Sequence, residues 1–471
     1  MVPSVPPRHN GTVLVRTSRS AFFTPNEEIA SIEKSGPFSS IALARLCLVR
    51  FGASFLLILT TGILNRILIS DLGMSAWVVT VVLSFQHLSN PLALGAGHLS
   101  DRRPIRGRRR VPYILLWTIV AAATVPFMPH VAMRMNEGLG WLIVGALLFG
   151  LFGYGLKVAN VLVGALIADR TDDPLVRGRQ LNIIWIMAIV GFITAGVLAS
   201  WHLPTYDADN PDDLAQLQRL CIGVSIIAVV MAFLGTWGSE RSSTHPSLAA
   251  DAPQADQSST LLGLLRGVMA APGTRRVFVF LVVADFSFFI QEYVLESFGG
   301  DIFQMPVSVT TSFNTMLGLG MVISMLSVGF MGSIWERFPT RRVLRWGCGL
   351  GAASFLALSF SAFADTALAL LISVFVLGVG KGLYNIGLAY LFMGMARSRS
   401  AGFLMGAWAA FGGFAVALGG LSGGIFLDLG RLIVDDTAQS YGVVFGIELI
   451  MMIVALLLVP RLSGDADSAT A

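Results

Sequence analysis

Two stretches decide how this chain is organised: GHLSDRRPIRGRRR, from Gly97 to Arg110, and GSIWERFPTRR, from Gly332 to Arg342. Each sets a glycine four residues ahead of an acid, Gly97 before Asp101 and Gly332 before Glu336. An arginine follows the acid in both, Arg102 and Arg337, with further basic residues behind it. The offset from Gly97 to Gly332 is close to half of the 471-residue chain, the spacing of an internal duplication. A glycine at a helix end lets a neighbouring helix come close, while the acid and the arginines can cap or bridge adjacent helix ends.

Around these loops the chain is apolar. Hydrophobic residues make up 55% and charged residues 13%, and the mean hydropathy is +0.74; an ordinary soluble domain carries about 25% charged residues. This excludes a soluble enzyme, a disordered hub and a nucleic-acid reader, and points to a helical membrane protein. A helix needs about 20 apolar residues to cross the hydrocarbon, because the bilayer offers backbone groups no other partner. Twelve segments qualify, at about 42–68, 76–99, 111–130, 139–168, 181–203, 219–238, 276–299, 309–334, 343–363, 365–394, 401–427 and 441–460. On the side of the two basic loops, 24 Lys and Arg residues fall in the connections or at helix ends, against Arg134, Arg219 and Arg431 on the other. Basic residues stay on the cytoplasmic side, so both termini are expected there.

The expected organisation is a cytoplasmic tail (1–38), a six-helix bundle (39–238), a cytoplasmic linker (239–275), a second six-helix bundle (276–460) and a short tail (461–471). The tail has no apolar core before a small-residue cleavage site, so no removable signal is expected. The linker is rich in Ser, Ala, Pro, Asp and Gln, and its Leu261–Met269 stretch reads as a short amphipathic helix on the membrane surface. Cys47, Cys221 and Cys348 each sit in apolar runs and have no metal-ligand spacing, so they read as packing residues. No nucleophile with a histidine base, phosphate loop or zinc spacing is present, and DADNPDD, from Asp207 to Asp213, lacks a calcium-loop register. No catalytic set and no metal site are therefore expected.

The paired loops and the twelve-span layout resemble the major facilitator superfamily, with Glu336 standing for the usual Asp in a degenerate second copy. The resemblance implies an all-α membrane fold of two pseudo-symmetric six-helix halves about an axis along the membrane normal. Two unrelated basic loops are the plainer alternative. In that superfamily the first, fourth, seventh and tenth helices line a central cavity. Here those spans carry Asn65 and Arg66, Lys157 and Asn160, Asp285, Gln291, Glu292 and Glu296, then Lys381, Tyr384 and Asn385. Ionisable groups at membrane depth cost from about 2.5 kcal/mol upward and face a cavity, a partner or the bundle interior. Lys157 and Lys381 lie too deep to snorkel easily, which favours the cavity.

Arg66 and Glu296 share the sequence offset of Asp71 and Asp301, so the halves bring them to equivalent depths near the outer ends of two spans. An Arg66–Glu296 ion pair closing that side is expected; separate snorkelling of each is the alternative. Glu448 stands alone in an otherwise lipid-facing span and reads as the mark of a partner surface. His87, in the second span, and His98, at the start of the first loop, are candidate metal-centre ligands, against the plainer role of bonding one helix to another. The dense glycines, among them Gly153, Gly155, Gly378, Gly382, Gly419 and Gly420, read as close helix packing, though a flat glycine wall can also accept a macrocycle.

Several stretches are similar to the bacteriochlorophyll delivery family, the PucC-like proteins. They are TGILNRILISDLG (Thr61–Gly73), the first basic loop, LIADRTDDPLVRGR (Leu166–Arg179), QEYVLESFGGD (Gln291–Asp301) and GAWAAFGGFAVALGG (Gly406–Gly420). The resemblance implies assembly of photosynthetic antennae in a bacterial inner, intracytoplasmic membrane. Its cofactor would be bacteriochlorophyll or a related magnesium tetrapyrrole, its partners light-harvesting polypeptides and the reaction centre, with membrane lipid around it. The candidate pigment-holding residues are His87, His98, Lys157, Asn160, Gln291, Glu292, Lys381 and Asn385. Asn65, Arg66, Glu296 and the loop residues Gly97, Asp101, Arg102, Gly332, Glu336 and Arg337 form the gate or structural set. A proton-coupled transporter of a small solute, with Glu292, Glu296, Lys157 and Lys381 at its site, is the second reading, and a static subunit of a photosynthetic complex the third.

Overall fold

The computed structural model describes residues 38–88, 99–100, 103–170, 174–203, 210–240, 272–330, 340–364, 366–396 and 401–459. The described chain is helical throughout: α1 (Ser40–Asp71), α2 (Ala76–Leu88), α3 (Val111–Glu137), α4 (Leu139–Ala168), α5 (Pro174–His202) and α6 (Pro211–Thr236). Then come α7 (Pro272–Ile290, continued by Leu295–Phe303), α8 (Val307–Phe330), α9 (Thr340–Ala364), α10 (Ala367–Ala396), α11 (Ala401–Ile433) and α12 (Thr437–Leu458). Among the described residues ten helices are long and apolar enough to cross a membrane, and the bent α7 makes eleven. The expected second span, about 76–99, is represented by the shorter α2, because 89–98 lie outside the described residues. The tails, Leu261–Met269 and the loop residues Gly97, His98, Asp101, Arg102, Gly332, Glu336 and Arg337 also lie outside them.

Helix starts follow local chemistry. Ser39, Asn210 and Asp436 cap α1, α6 and α12, each side chain accepting from a backbone N–H of the first turn. DADNPDD ends as the start of α6, with Pro211 in the first turn and Asp212 and Asp213 beside the positive end of the dipole. This is why α6 begins well ahead of the expected residue 219. At α3 the cap comes from afar: the Glu240 carboxylate accepts from the backbone N–H of Arg109 (2.6 Å), Arg110 (3.0 Å) and Val111 (2.8 Å). Arg110 joins that end to α4 through Asp169 at 3.0 Å. Arg110 of the first basic loop thus bridges helix ends, whereas the cap on α3 is supplied by Glu240 from outside the loop.

Two helices depart from regularity. α1 carries π-helical turns at Leu59–Ile63 and Ile67–Asp71, and α7 turns by 42° around a 3₁₀ turn at Gln291–Tyr293, where a continuous span was expected. Both irregularities lie in the most polar stretches of their spans.

Packing repeats with a period of six helices. α1 lies against α5 and α6, and α7 against α11 and α12; α4 lies against α2 and α3, and α10 against α8 and α9. The halves join where α2 meets α11 and α5 meets α8. Close crossings explain two of the glycines. A Cβ at Gly153 would lie 2.1 Å from the Gln86 carbonyl oxygen, and one at Gly378 would lie 2.1 Å from that of Leu317. These glycines admit neighbouring backbone, and no macrocycle shares that space. Cys47, Cys221 and Cys348 are free and buried. Trp77 and Trp201 stand exposed at one end of the bundle and Trp237 and Trp346 at the other, the aromatic belts of a membrane protein.

Candidate functional site

The broken stretch of α7 organises the middle of the molecule. A helix break leaves carbonyls without their intrahelical donors, and Asn65 of α1 donates from Nδ2 to the Tyr293 carbonyl at 2.8 Å. The Tyr293 side chain, fully buried, reaches α2: its hydroxyl accepts from Gln86 Nε2 at 2.7 Å and lies 3.1 Å from His87 Nε2. Thr60 of α1 donates to Gln86 Oε1 at 3.2 Å. The Tyr293 ring lies where a Cβ on Gly420 of α11 would fall, 2.7 Å away. One tyrosine therefore ties α7 to α1, α2 and α11.

Toward the end away from the basic loops, α1 and α7 interlock. Arg66 donates to Asp71 Oδ2 at 3.1 Å and to the Met305 carbonyl at 2.8 Å, while Asn314 of α8 donates to Glu296 Oε1. The expected Arg66–Glu296 ion pair is not formed. Each long side chain instead lies against a glycine of the opposite helix: a Cβ on Gly62 would fall 2.6 Å from Glu296 Oε1, and one on Gly300 would fall 3.0 Å from Arg66 Nε. Neither side chain snorkels, since both are buried. Asp301 pairs with Arg431 of α11 at 3.0 Å and accepts from Tyr441 of α12 at 2.6 Å. Asp428 of α11 accepts from Ser75 Oγ and from the Trp77 N–H, both at 2.8 Å.

Deeper in the bundle the charges separate by half. In the first, Lys157 and Asn160 of α4 are half-buried, and Asn160 Oδ1 has no hydrogen-bond partner. The Lys157 charge acts on His87 and is itself acted on by Arg50 of α1, whose guanidinium lies 5.0 Å from the ring centre of Trp185. In the second, Tyr384 of α10 donates to Asp285 Oδ1 of α7 at 2.9 Å, and Lys381 Nζ sits 3.8 Å from the centroid of Phe289. Gln291 Nε2 donates to the Phe288 carbonyl at 3.3 Å, and Glu292 and Asn385 are half-buried. Glu448 is not at a partner surface: it is fully buried, facing α7 and α10.

The structure thus brings His87, Asn65 and the α7 break together, and collects Glu292, Lys381 and Asp285 separately. Sequence reasoning missed Tyr293, Arg50 and Asn314. Arg50 was visible as an arginine flanked by Val49 and Phe51 inside a span; Tyr293 and Asn314 carry no local signal, since their partners are distant in sequence.

The profile of the PUCC protein family matches residues 63–466. The chain belongs to the PUCC family. Relatives of this PUCC-family chain include the bacteriochlorophyll synthase 44.5 kDa chain of Rhodobacter capsulatus, 30% identical and covering 89% of this chain and 94% of the relative. Protein PucC of the same species is 27% identical and covers 92% and 94%. Among solved structures, a D-xylose-proton symporter superposes with a TM-score of 0.65 at 14% identity, covering 91% of this chain and 99% of the symporter. This PUCC-family member therefore has the fold of major facilitator transporters, and it is a multi-pass membrane protein related to photosynthesis.

Proposed function

We propose that this chain is an assembly factor of a photosynthetic membrane, holding bacteriochlorophyll and presenting it to light-harvesting polypeptides as they are built around the reaction centre. The observation that carries the reading is kinship along nearly the whole chain, including a relative named for bacteriochlorophyll synthesis. On this reading both termini are cytoplasmic, in keeping with the basic loops.

The residues present fit the pigment at one donor. The donor is the His87 imidazole, whose Nε2 lies 3.1 Å from the Tyr293 hydroxyl; a metal-binding histidine is commonly oriented by a second bond of this kind. When bound, the pigment supplies the absorption and one open magnesium position. His87 would hold it, Tyr293 would orient the imidazole, and Gln86 anchors Tyr293. Elsewhere between the same two helices, Val81, Ser84 and Phe85 of α2 and Phe414, Ala417 and Leu418 of α11 line a cleft of about 110 Å³, which His87 does not line.

The test is the absorption spectrum of the gently solubilised full chain. A near-infrared band that co-purifies, and is lost in His87→Ala, is expected. An unchanged band removes His87 from the site. Colourless protein that drives proton-coupled uptake in vesicles would replace the reading with transport, which the symporter fold and the buried charges of α7 and α10 favour as the second possibility.

A further inference from the structure

The charges gathered by α7, α10 and α12 do not balance. Lys381, 7% exposed, supplies one ammonium, and the carboxyls of Glu292, Asp285 and Glu448 all act on it. The ammonium lies over Phe289, and no carboxylate oxygen is within ion-pair distance of it among the described residues. Asp285 is held by the Tyr384 hydroxyl and Glu292 is half-buried. Glu448, 0% exposed, makes no hydrogen bond of normal geometry from either oxygen, although the Gln291 backbone N–H faces it. Three ionised carboxylates beside one ammonium would leave two uncompensated negative charges at membrane depth, which burial strongly disfavours.

We propose that this cluster is a proton-binding site whose exchangeable proton resides on Glu448. Among the described residues neither Glu448 nor Glu292 has a bonded donor to stabilise an ionised form, and of the two Glu448 is the one fully shut off from solvent, Glu292 being half-buried. The groups facing the site are Asp285 and Glu292 from α7, Cys348 from α9, and Lys381 and Tyr384 from α10. α11 contributes Gly412 against Asp285, a residue that does not titrate. The Glu448 carbonyl accepts from Ser287 Oγ of α7 at 2.9 Å, so the same residue joins α12 to α7. A site that is protonated in one arrangement of the helices and ionised in another couples their packing to proton concentration.

Infrared difference spectroscopy of the full chain in lipid vesicles, stepped in pH, reads the carbonyl stretch of protonated carboxyls. One such band is expected to be lost in Glu448→Gln and kept in Glu292→Gln. Lys381→Met removes the shared ammonium, making the carboxyls harder to ionise, so the band should persist to higher pH; this variant tests the site even if Glu448→Gln fails to insert. Bands unchanged by Glu448→Gln, a band that responds to sodium at constant pH, or a Lys381→Met titration unmoved or shifted to lower pH overturns the proposal.

Discussion

Removing the Tyr293 hydroxyl deletes one oxygen and two links between α7 and α2, those to Gln86 at 2.7 Å and His87 at 3.1 Å. Tyr293→Phe leaves the buried ring against Gly420 and the Asn65 bond to the Tyr293 backbone carbonyl unchanged. Interhelical hydrogen bonds in membranes average about 0.6 kcal/mol, with a maximum of about 1.7 kcal/mol. Two average links give about 1.2 kcal/mol, nearly a tenfold fall in the folded-to-unfolded ratio. Tyr293→Ala removes the ring as well, and its total cost should reach about 3–5 kcal/mol, the range for large aromatic-to-alanine changes. Unfolding in mixed micelles titrated with a denaturing detergent, followed by tryptophan fluorescence, measures both. A Tyr293→Phe stability indistinguishable from that of the parent chain, or a loss equal to that of Tyr293→Ala, would refute the role of the hydroxyl as a tie between helices. In a pigment-bearing preparation the same variant should shift the near-infrared band without abolishing it, because the imidazole remains while its orienting partner is lost.

Other consequences are open to measurement. Gly300→Val drives a side chain into Arg66 and Gly62→Val drives one into Glu296; each should destabilise the chain by about 1–3 kcal/mol as overpacking in the same assay. Gly446→Ala, with nothing within 4 Å of the added carbon, should be close to neutral. Asn210→Ala removes the cap of α6 and should cost about 0.5–2 kcal/mol, read by the same unfolding titration. Glu240→Gln leaves an oxygen but no charge at the start of α3, so the loss should be about 0.3–1 kcal/mol and should shrink as salt is raised.

The architecture was legible in the sequence because lipid imposes a one-dimensional rule: apolar runs long enough to span, with basic residues between them. The same rule exposed Asn65, Asp285, Gln291, Glu296 and Lys381 as polar residues needing an interior, and all five are buried. Which of them meet was not legible. Helix rotation and local winding decide that: the π turn at Ile67–Asp71 brings Asp71, on the same helix, to Arg66, while Glu296 faces Asn314. The shared offset of the two halves could not show that each charge would seat against the other helix's glycine. Tyr293 was hidden between Glu292 and Val294 because its value lies in partners on α1 and α2. Glu448 misled for the opposite reason: a lone acid in an apolar span looks displaced until α7 and α10 are packed beside it.

The most direct measurement is native mass spectrometry of the full chain, released from detergent after expression in a pigment-producing photosynthetic host. A species at the mass of the chain plus one magnesium tetrapyrrole, absent from His87→Ala while that variant remains folded, is expected. A chain carrying lipid alone, or pigment retained equally by both proteins, would contradict the assignment of pigment holding to the junction of α2 and α7.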